Sequence, residues 1–192
     1  MHVNLAIFAS GNGSNAENIY HYFDGNQNIF VSLLLTNNRR AGVIDRFINF
    51  NVPIVVIDNI LASDGSFLIR LCETFNINII ILAGYLRAIP ADLIKKYPDK
   101  ILNIHPALLP KYGGKGMYGS KVHENVIANN EKTSGISIHL VNENYDEGHI
   151  IFQKTISIDS TDTPDTLAEK IHKLEYEYYP IVIEKYINEL FT

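Results

Sequence analysis

The sequence predicts a Rossmann-like α/β fold, in which a doubly wound, mostly parallel sheet forms a single domain over residues 1–192. The first half of the chain alternates apolar strand-like runs with helical segments, which is typical of βαβ units. These runs are apolar almost throughout, as in parallel strands that are buried on both faces. The second half changes to two segments of alternating polarity and a long helical one. We therefore expect antiparallel strands late in the chain and a long C-terminal helix.

Glycine, asparagine and proline mark the ends of the elements in the first half. The strands are predicted over residues 3–9, 29–35, 52–57 and 77–82, with a further strand running from residue 100 into Asn103 and His105. The helices are predicted over residues 15–23, 41–50, 63–75 and 90–96. Ligands of such sheets bind beyond the carboxyl ends of the strands. We therefore expect the loops at residues 10–15, 83–87 and 103–106 to lie along one edge.

A glycine-dense segment, residues 111–119, follows the last parallel strand and is expected to be a loop or lid. A helix is predicted over residues 120–128, and two antiparallel strands over 135–141 and 150–158. The last helix should begin at Thr163, a capping residue that is followed by proline at the first helical position. Its apolar stripe is expected to consist of Leu167, Ile171, Leu174, Tyr178 and Ile181.

Composition favours a globular protein and argues against several classes of partner. Of the 192 residues, 46% are hydrophobic and 19% are charged, which allows a sizeable core in one domain. The net charge of −5 argues against nucleic acid and membrane surfaces as partners. The N-terminus lacks the features of a signal peptide, and no run approaches the roughly 20 apolar residues of a membrane span. With Cys72 as the single cysteine, we expect a cytoplasmic protein.

The first candidate site lies at the tip of the strand that begins at residue 100. Asn103 and His105 are two positions apart, so their side chains leave the same face of the strand. Pro106 ends the strand because proline cannot donate to a sheet ladder. Polar groups at the tip of a buried strand cost free energy unless they bond to something there. This segment alone favours a catalytic pair and a structural pair equally.

The second candidate site is the Gly-Asn-Gly-Ser-Asn-Ala segment at residues 11–16, between the first strand and the first helix. It matches the G-x-G-x-x-G/A dinucleotide fingerprint in form. The acidic residue that would bind a ribose is missing after the second strand, although Arg39 and Arg40 leave an NADP site open. A plain tight turn is also open. We favour a phosphate held by backbone N–H groups at the helix N-terminus, with Ser14 and Asn15 adding donors.

Two further clusters are ambiguous. Asp146 lies in a Tyr-Asp-Glu-Gly-His turn, where Asp and Gly are common in any hairpin. Its carboxylate could pair with His105 and raise the pKa of that imidazole to suit an acid near neutral pH. His172 and Glu175, three apart on the last helix, share a face that we expect to be distinct from the apolar stripe, so a solvated face is favoured. No paired-cysteine or H-E-x-x-H pattern occurs, so we expect no metal site.

Taken together, these motifs resemble the folate-dependent formyltransferases over nearly the whole chain. The resemblance rests on the segments at residues 10–15, 82–87, 102–112 and 146–153, and on Glu175 with Tyr179-Pro180. The Asn-x-His-Pro-x-Leu-Leu-Pro run is specific for folate-dependent formyl transfer in general. The Ser-Gly-Asn-Gly-Ser-Asn loop narrows it to the phosphoribosylglycinamide formyltransferases and the related formyltetrahydrofolate deformylases.

The resemblance implies a reaction and a role for each flagged residue. The amine of glycinamide ribonucleotide would attack the formyl carbon of 10-formyltetrahydrofolate, in de novo purine (IMP) biosynthesis. Asn103 and protonated His105 would donate to the formyl oxygen, and Asp146 would keep His105 charged. The substrate would be bound by Gly13, Ser14, Asn15, Glu175 and His172. The folate cosubstrate would contact Leu86, Arg87, Ala88, Ile89, Asn103, Val141, Asn142, Glu143, Asn144, Tyr145 and Asp146. Ile94 and Ile101 would form apolar walls.

The chain departs from the family pattern at three places. The loop over residues 112–120 is longer than usual, residues 58–66 lack a basic residue near the folate, and His172 replaces other polar side chains. Two rival functions are a deformylase, which would carry an additional N-terminal domain, and a non-catalytic nucleotide-binding module. Methionyl-tRNA formyltransferase would need a further C-terminal domain and a basic face. The resemblance is compatible with a monomer or a weak homodimer.

Overall fold

The structure, a computed structural model, describes residues 2–191. The strands are β1 (Val3–Phe8), β2 (Ile29–Thr36), β3 (Ile54–Val56), β4 (Ile79–Leu82), β5 (Ile101–His105), β6 (Thr133–Leu140) and β7 (Ile150–Ser157). The helices are α1 (Ser14–Phe23), α2 (Val43–Phe47), α3 (Gly65–Thr74), α4 (Ala91–Lys96), α5 (Ser120–Ala128) and α6 (Pro164–Leu190). The sheet has the strand order β3-β2-β1-β4-β5-β6-β7. This architecture confirms the predicted α/β class, with a mostly parallel sheet, a late antiparallel pair and a long C-terminal helix.

The chain divides into two compact units, of which the first ends at Asn103 and the second begins at Ile104. The single domain expected over residues 1–192 stays a prediction. In the first unit, β1 is paired in parallel with β2 and β4, and β2 with β3. β1 and β4 carry the core, since every residue of β4 is buried and Leu5, Ile7 and Phe8 are fully inaccessible. Burial on both faces explains why these strands read as continuous apolar runs.

The register of the first unit aligns the carboxyl ends of its strands. Phe8 of β1 lies opposite both Leu35 of β2 and Leu82 of β4. Leu82 in turn lies opposite Asn103 of β5. The loops that follow these strands therefore emerge at one edge, as the sequence predicts for this fold. Asn103 is consequently at the same level as the start of the loop that carries Gly13.

Two elements of the first unit are shorter than predicted. The strand expected over residues 52–57 is confined to β3 (Ile54–Val56). Because Pro53 has no N–H to donate to the ladder, Pro53 and the preceding Val52 lie outside the strand. The carbonyl of Pro53 still accepts a hydrogen bond from the Leu34 N–H at 2.9 Å. The helix expected over residues 41–50 is confined to α2 (Val43–Phe47).

The second unit contains α5, β6, β7 and α6. β6 and β7 are antiparallel, with Ser137 opposite Gln153 and a shift of register after Ile138. β6 is buried at every position after Thr133, whereas β7 is half-buried or exposed. α6 begins as predicted, since Thr163 accepts from the Thr166 N–H and the Thr166 hydroxyl accepts from the Thr163 N–H. In residues 2–191, no helix is both long enough and apolar enough to span a bilayer.

The predicted apolar stripe of α6 is correct only in its first two members. Leu167 and Ile171 are buried, but Ile181 is 47% exposed. The buried line continues instead in steps of four, through Glu175, Tyr179, Ile183 and Ile187. The predicted stripe is wrong from Glu175 onwards, because this carboxylate is buried although carboxylates usually face water. The expectation that Glu175 lies on a solvated face distinct from this stripe is wrong for the same reason.

Candidate active site

The loop between β1 and α1, together with the first helical residues, contains the predicted phosphate-binding positions; we name residues 10–15 the phosphate loop. Gly13 caps α1 with φ of 82°, in the left-handed region. A Cβ at this position would lie 2.6 Å from the Cα of Val43 and closer still to its side chain, so only glycine fits. Ser14 and Asn15 follow as the first two helical residues, where backbone N–H groups have no intrahelical acceptor. This is the local geometry that binds anions.

Ser10 fastens the phosphate loop to its neighbours. Its hydroxyl donates to Asn37 Oδ1 at 2.6 Å and accepts from the Leu86 N–H at 2.9 Å. Its own N–H donates to the Gly84 carbonyl at 3.0 Å. One serine thus ties together the loops that follow β1, β2 and β4, including the start of the predicted folate segment. This role of Ser10 cannot be recognised in the sequence, because its partners are 27 and 76 residues away.

His105 lies at the end of β5, as predicted, and only 3% of it is exposed. Its Nε2 lies 2.6 Å from the carbonyl oxygen of Tyr112. Because a carbonyl can only accept, Nε2 carries the proton and donates. Its Nδ1 faces Asp146 Oδ2 at 3.6 Å. Both ring nitrogens therefore face acceptors, an arrangement that suits the imidazolium.

Asp146 lies between two buried histidines. Its Oδ2 faces His105, and its Oδ1 is 3.5 Å from Nε2 of His139. The Gly114 N–H donates to Oδ2 at 2.9 Å. Asp146 adopts φ of 57°, a left-handed conformation that is uncommon outside glycine and that clusters at functional sites. The structure thus brings together His105 and Asp146, which the sequence separates by 41 positions.

The electrostatics of the pair differ from the sequence-based expectation in one respect. Burial lowers the pKa of His105, and this outweighs the Asp146 carboxylate and the Tyr112 carbonyl, which both raise it. Asp146 therefore acts on His105 in the predicted direction, but the expectation of a net raised pKa is wrong because the imidazole is desolvated. For Asp146, burial raises the pKa, but the hydrogen bond from His139, the charge of His105 and the Gly114 N–H together lower it.

Two residues of β6 support this cluster and were not predicted. His139 is 2% exposed, and its Nδ1 donates to the Leu140 carbonyl at 3.0 Å, which turns Nε2 towards Asp146. Ser137 is fully buried and bonds to the segment after His105: it donates to the Ala107 carbonyl at 2.7 Å and accepts from the Leu109 N–H at 2.9 Å. Ser137 and His139 occupy alternate positions of an otherwise apolar strand, and this pattern in the sequence indicates that both side chains leave the same face.

The predicted substrate residues of α6 lie in unlike environments. Glu175 is 6% exposed, one turn before the fully buried Tyr179. Burial, with the Glu175 carboxylate adding to it, raises the pKa of Tyr179 well above its ordinary value. His172 is exposed and stacks on Tyr176, with ring centroids 6.2 Å apart. His123 of α5 is 3% exposed, and burial, assisted by His172 and His105, lowers its pKa to about 4.

The predicted folate-binding residues fall in two segments, each largely accessible. In the first unit, Leu86 is 54% exposed, Arg87 and Ala88 are exposed, and Ile89 is half-buried. In the second unit, Val141 is half-buried and the following residues are exposed: Asn142, Glu143, Asn144 and Tyr145. Over residues 2–191 no group of three or more His, Cys, Asp or Glu side chains could hold a metal ion.

Comparison with known protein families gives a match over most of the chain. The model of the formyl transferase family matches residues 3–183. The chain therefore belongs to the formyl transferase family.

Within the family, several similar proteins are phosphoribosylglycinamide formyltransferases. Phosphoribosylglycinamide formyltransferase of Bacillus subtilis is 38% identical over 190 residues, which cover 96% of this chain and 94% of that protein. The chloroplastic phosphoribosylglycinamide formyltransferase of Arabidopsis thaliana is 40% identical over 185 residues, and the match spans 63% of its length. The crystal structure of phosphoribosylglycinamide formyltransferase from Bacillus halodurans has a TM-score of 0.86 and 34% identity, and the match covers 95% of this chain and 94% of that chain.

Proposed function

We propose that the protein transfers the formyl group of 10-formyltetrahydrofolate to the primary amine of glycinamide ribonucleotide. The products are formylglycinamide ribonucleotide and tetrahydrofolate, and the reaction belongs to de novo purine (IMP) biosynthesis. The observation that carries this proposal is the buried His105 at the tip of β5, with Asp146 at 3.6 Å, in a chain of the formyl transferase family. Cytoplasmic location and a monomeric or weakly dimeric state remain predictions from the sequence.

The chemistry follows from the residues at the tip of β5. The amine nitrogen attacks the formyl carbon, and negative charge develops on the formyl oxygen, where placed donors stabilise it. Asn103 donates its amide N–H and His105 a ring N–H. The C–N bond to the folate then breaks, and the proton lost by the amine is returned to the leaving folate nitrogen. Asp146 favours the charged form of His105 and, through water, assists removal of the amine proton.

His105 must change its hydrogen bond before it can act on substrate. Its Nε2 donates to the Tyr112 carbonyl at 2.6 Å, and its Nδ1 faces Asp146. A formyl oxygen can receive the Nε2 proton only when it replaces the Tyr112 carbonyl. The glycine-dense segment that follows Tyr112 has the backbone freedom for such a change, because Gly114, Gly116 and Gly119 all adopt positive φ.

The binding roles divide between the two substrates. The phosphate loop, through Gly13, Ser14 and Asn15, takes the phosphate of glycinamide ribonucleotide. Glu175, a buried carboxylate, binds the amine or the sugar, with exposed His172 as a second polar contact. The folate is held by backbone and side-chain contacts of the segments at residues 86–89 and 141–146, and by Asn103.

One assay separates this function from its rivals. Purified protein is given 10-formyltetrahydrofolate, with or without glycinamide ribonucleotide, and tetrahydrofolate formation is followed by absorbance. The proposal expects turnover only with both substrates. Turnover without the ribonucleotide indicates a deformylase, and no turnover in either case indicates a binding module. His105→Ala should lower kcat by a factor of about 10²–10⁴, the range for a general acid–base group.

A further inference from the structure

Arg46 of α2 holds the phosphate loop from one side. Its Nε donates to the backbone oxygen of Asn12 at 2.9 Å and to Asn12 Oδ1 at 3.1 Å. Its Nη2 donates to the same Oδ1 at 2.7 Å. Its Nη1 is paired with the carboxylate of Glu17, in the first turn of α1. One guanidinium therefore bonds both to the loop and to the helix that follows it.

These bonds fix the orientation of the Asn12 amide. A guanidinium has donors and no acceptor, so the oxygen of the amide must face Arg46. The Nδ2 group is then directed away from Arg46, and no acceptor among residues 2–191 bonds to it. Asn12 is exposed, so these two N–H donors are open to solvent. The phosphate loop thus presents a side-chain donor one residue before Gly13.

The backbone of α2 restrains the same part of the loop. The Val43 N–H donates to the Gly11 carbonyl at 3.2 Å. A Cβ on Gly42 would lie 3.3 Å from the carbonyl oxygen of Asn12, so this glycine permits the close approach. Contacts on either side of Asn12 leave its backbone little freedom. The donor orientation is therefore built in before any ligand binds, which reduces the ordering cost of binding.

Arg46 also offsets a negative charge close to the phosphate loop. Glu17 places a carboxylate in the first turn of α1, where it would repel a phosphate at the helix N-terminus. Pairing with Arg46 offsets that charge. We propose that Asn12 is a further phosphate-binding residue, that its Nδ2 donates to the ligand, and that Arg46 is its positioning residue. This inference rests on the proposed function, in which the phosphate loop takes the phosphate of the ribonucleotide.

Asn12→Asp is the decisive variant, because the carboxylate can still accept from Arg46 but cannot donate. A hydrogen bond to a charged group is worth enough to change affinity about 10-fold or more. We expect the KM for glycinamide ribonucleotide to rise by at least that factor, with smaller changes in kcat and in the KM for the folate. Arg46→Lys keeps the charge but cannot hold the amide by two nitrogens, so it should raise the same KM by less. Gln27→Glu, an exposed site beyond α1, adds the same charge as a control and should leave this KM unchanged.

Calorimetry with ribose 5-phosphate and the full chain tests the inference without turnover. Asn12→Asp should weaken binding about 10-fold or more, whereas Gln27→Glu should not weaken it. Equal binding by Asn12→Asp and the unmodified protein, or no binding by the unmodified protein, overturns the inference. Absence of turnover with glycinamide ribonucleotide, while this difference in binding persists, counts instead against the proposed function. Thermal unfolding of each variant checks that weaker binding does not result from a loss of folded protein.

Discussion

The contact between Asp146 and His105 can be tested by Asp146→Asn, which keeps the shape of the side chain and removes its charge. At the observed separation of 3.6 Å, an ion pair in an effective dielectric of about 20 is worth about 4–5 kcal/mol. This corresponds to a factor of about 10³ in the protonated fraction of His105 at a pH well above its pKa.

The measurement is kcat against pH for both proteins. If protonated His105 is the acid, activity falls as pH rises through its pKa. Removal of the Asp146 charge lowers that pKa further, because the carboxylate raises it in the intact protein. We therefore expect the alkaline limb to move to lower pH and kcat at neutral pH to fall by up to about 10³-fold. Asp159→Asn, an exposed site in the same unit, is the matched control. An unmoved limb and an unchanged kcat in Asp146→Asn would refute the reasoning.

Three further predictions concern stability and are measured by chemical unfolding. Ser137→Ala should lower the free energy of unfolding by about 1–3 kcal/mol, because it leaves two buried backbone groups without a hydrogen-bond partner. Ser134→Ala, on the same strand but with an unpartnered hydroxyl, should lower the free energy of unfolding little, and equal losses in the two variants would contradict this. As pH falls from 6.5 to 4, the unfolded state binds more protons at His123 than the folded state, so His123 should lower the free energy of unfolding by about 3 kcal/mol; the pH-dependent loss should be smaller by that amount in His123→Leu, and an equal loss in both proteins would contradict this. Gly13→Ala should cost about 1–2 kcal/mol or more from its left-handed φ alone, whereas Gly11→Ala, with nothing within 4 Å of its Cβ, should cost less.

The parts of the site that the sequence predicts are those that follow from strand order and strand ends. A buried apolar run that stops at Pro106 defines the tip of β5, and the spacing of Asn103 and His105 puts both at that tip. Gly13 is recognisable because a strand-to-helix turn needs a residue with positive φ. The parallel sheet then brings the loops after β1, β2 and β4 to one edge without further information. These inferences need only local patterns and one general rule of topology.

The parts that the sequence does not predict depend on long-range contacts and on desolvation. Ser10, Ser137 and His139 look like ordinary polar residues until their partners are known. The buried stripe of α6 differs from the predicted one because the burial of Glu175 contradicts the usual preference of a carboxylate for water. The net lowering of the His105 pKa does not follow from the sequence, because spacing indicates a charged neighbour more readily than it indicates the loss of water. Each error arises where packing overrides the average behaviour of a residue type.

Tyr112 and Asp146 show why the partners of His105 were the hardest to locate. Both residues that contact the imidazole adopt φ of 57°, and both lie in loops outside any helix or strand. Non-glycine residues in this region carry a free-energy cost that the surrounding structure must offset. The Gly114 N–H on Asp146 and the bond from the Tyr112 hydroxyl to Glu131 are contacts that do so. Because that support comes from other loops and strands, no periodicity in the sequence records it, and His105 acquires its two partners only when the second unit folds.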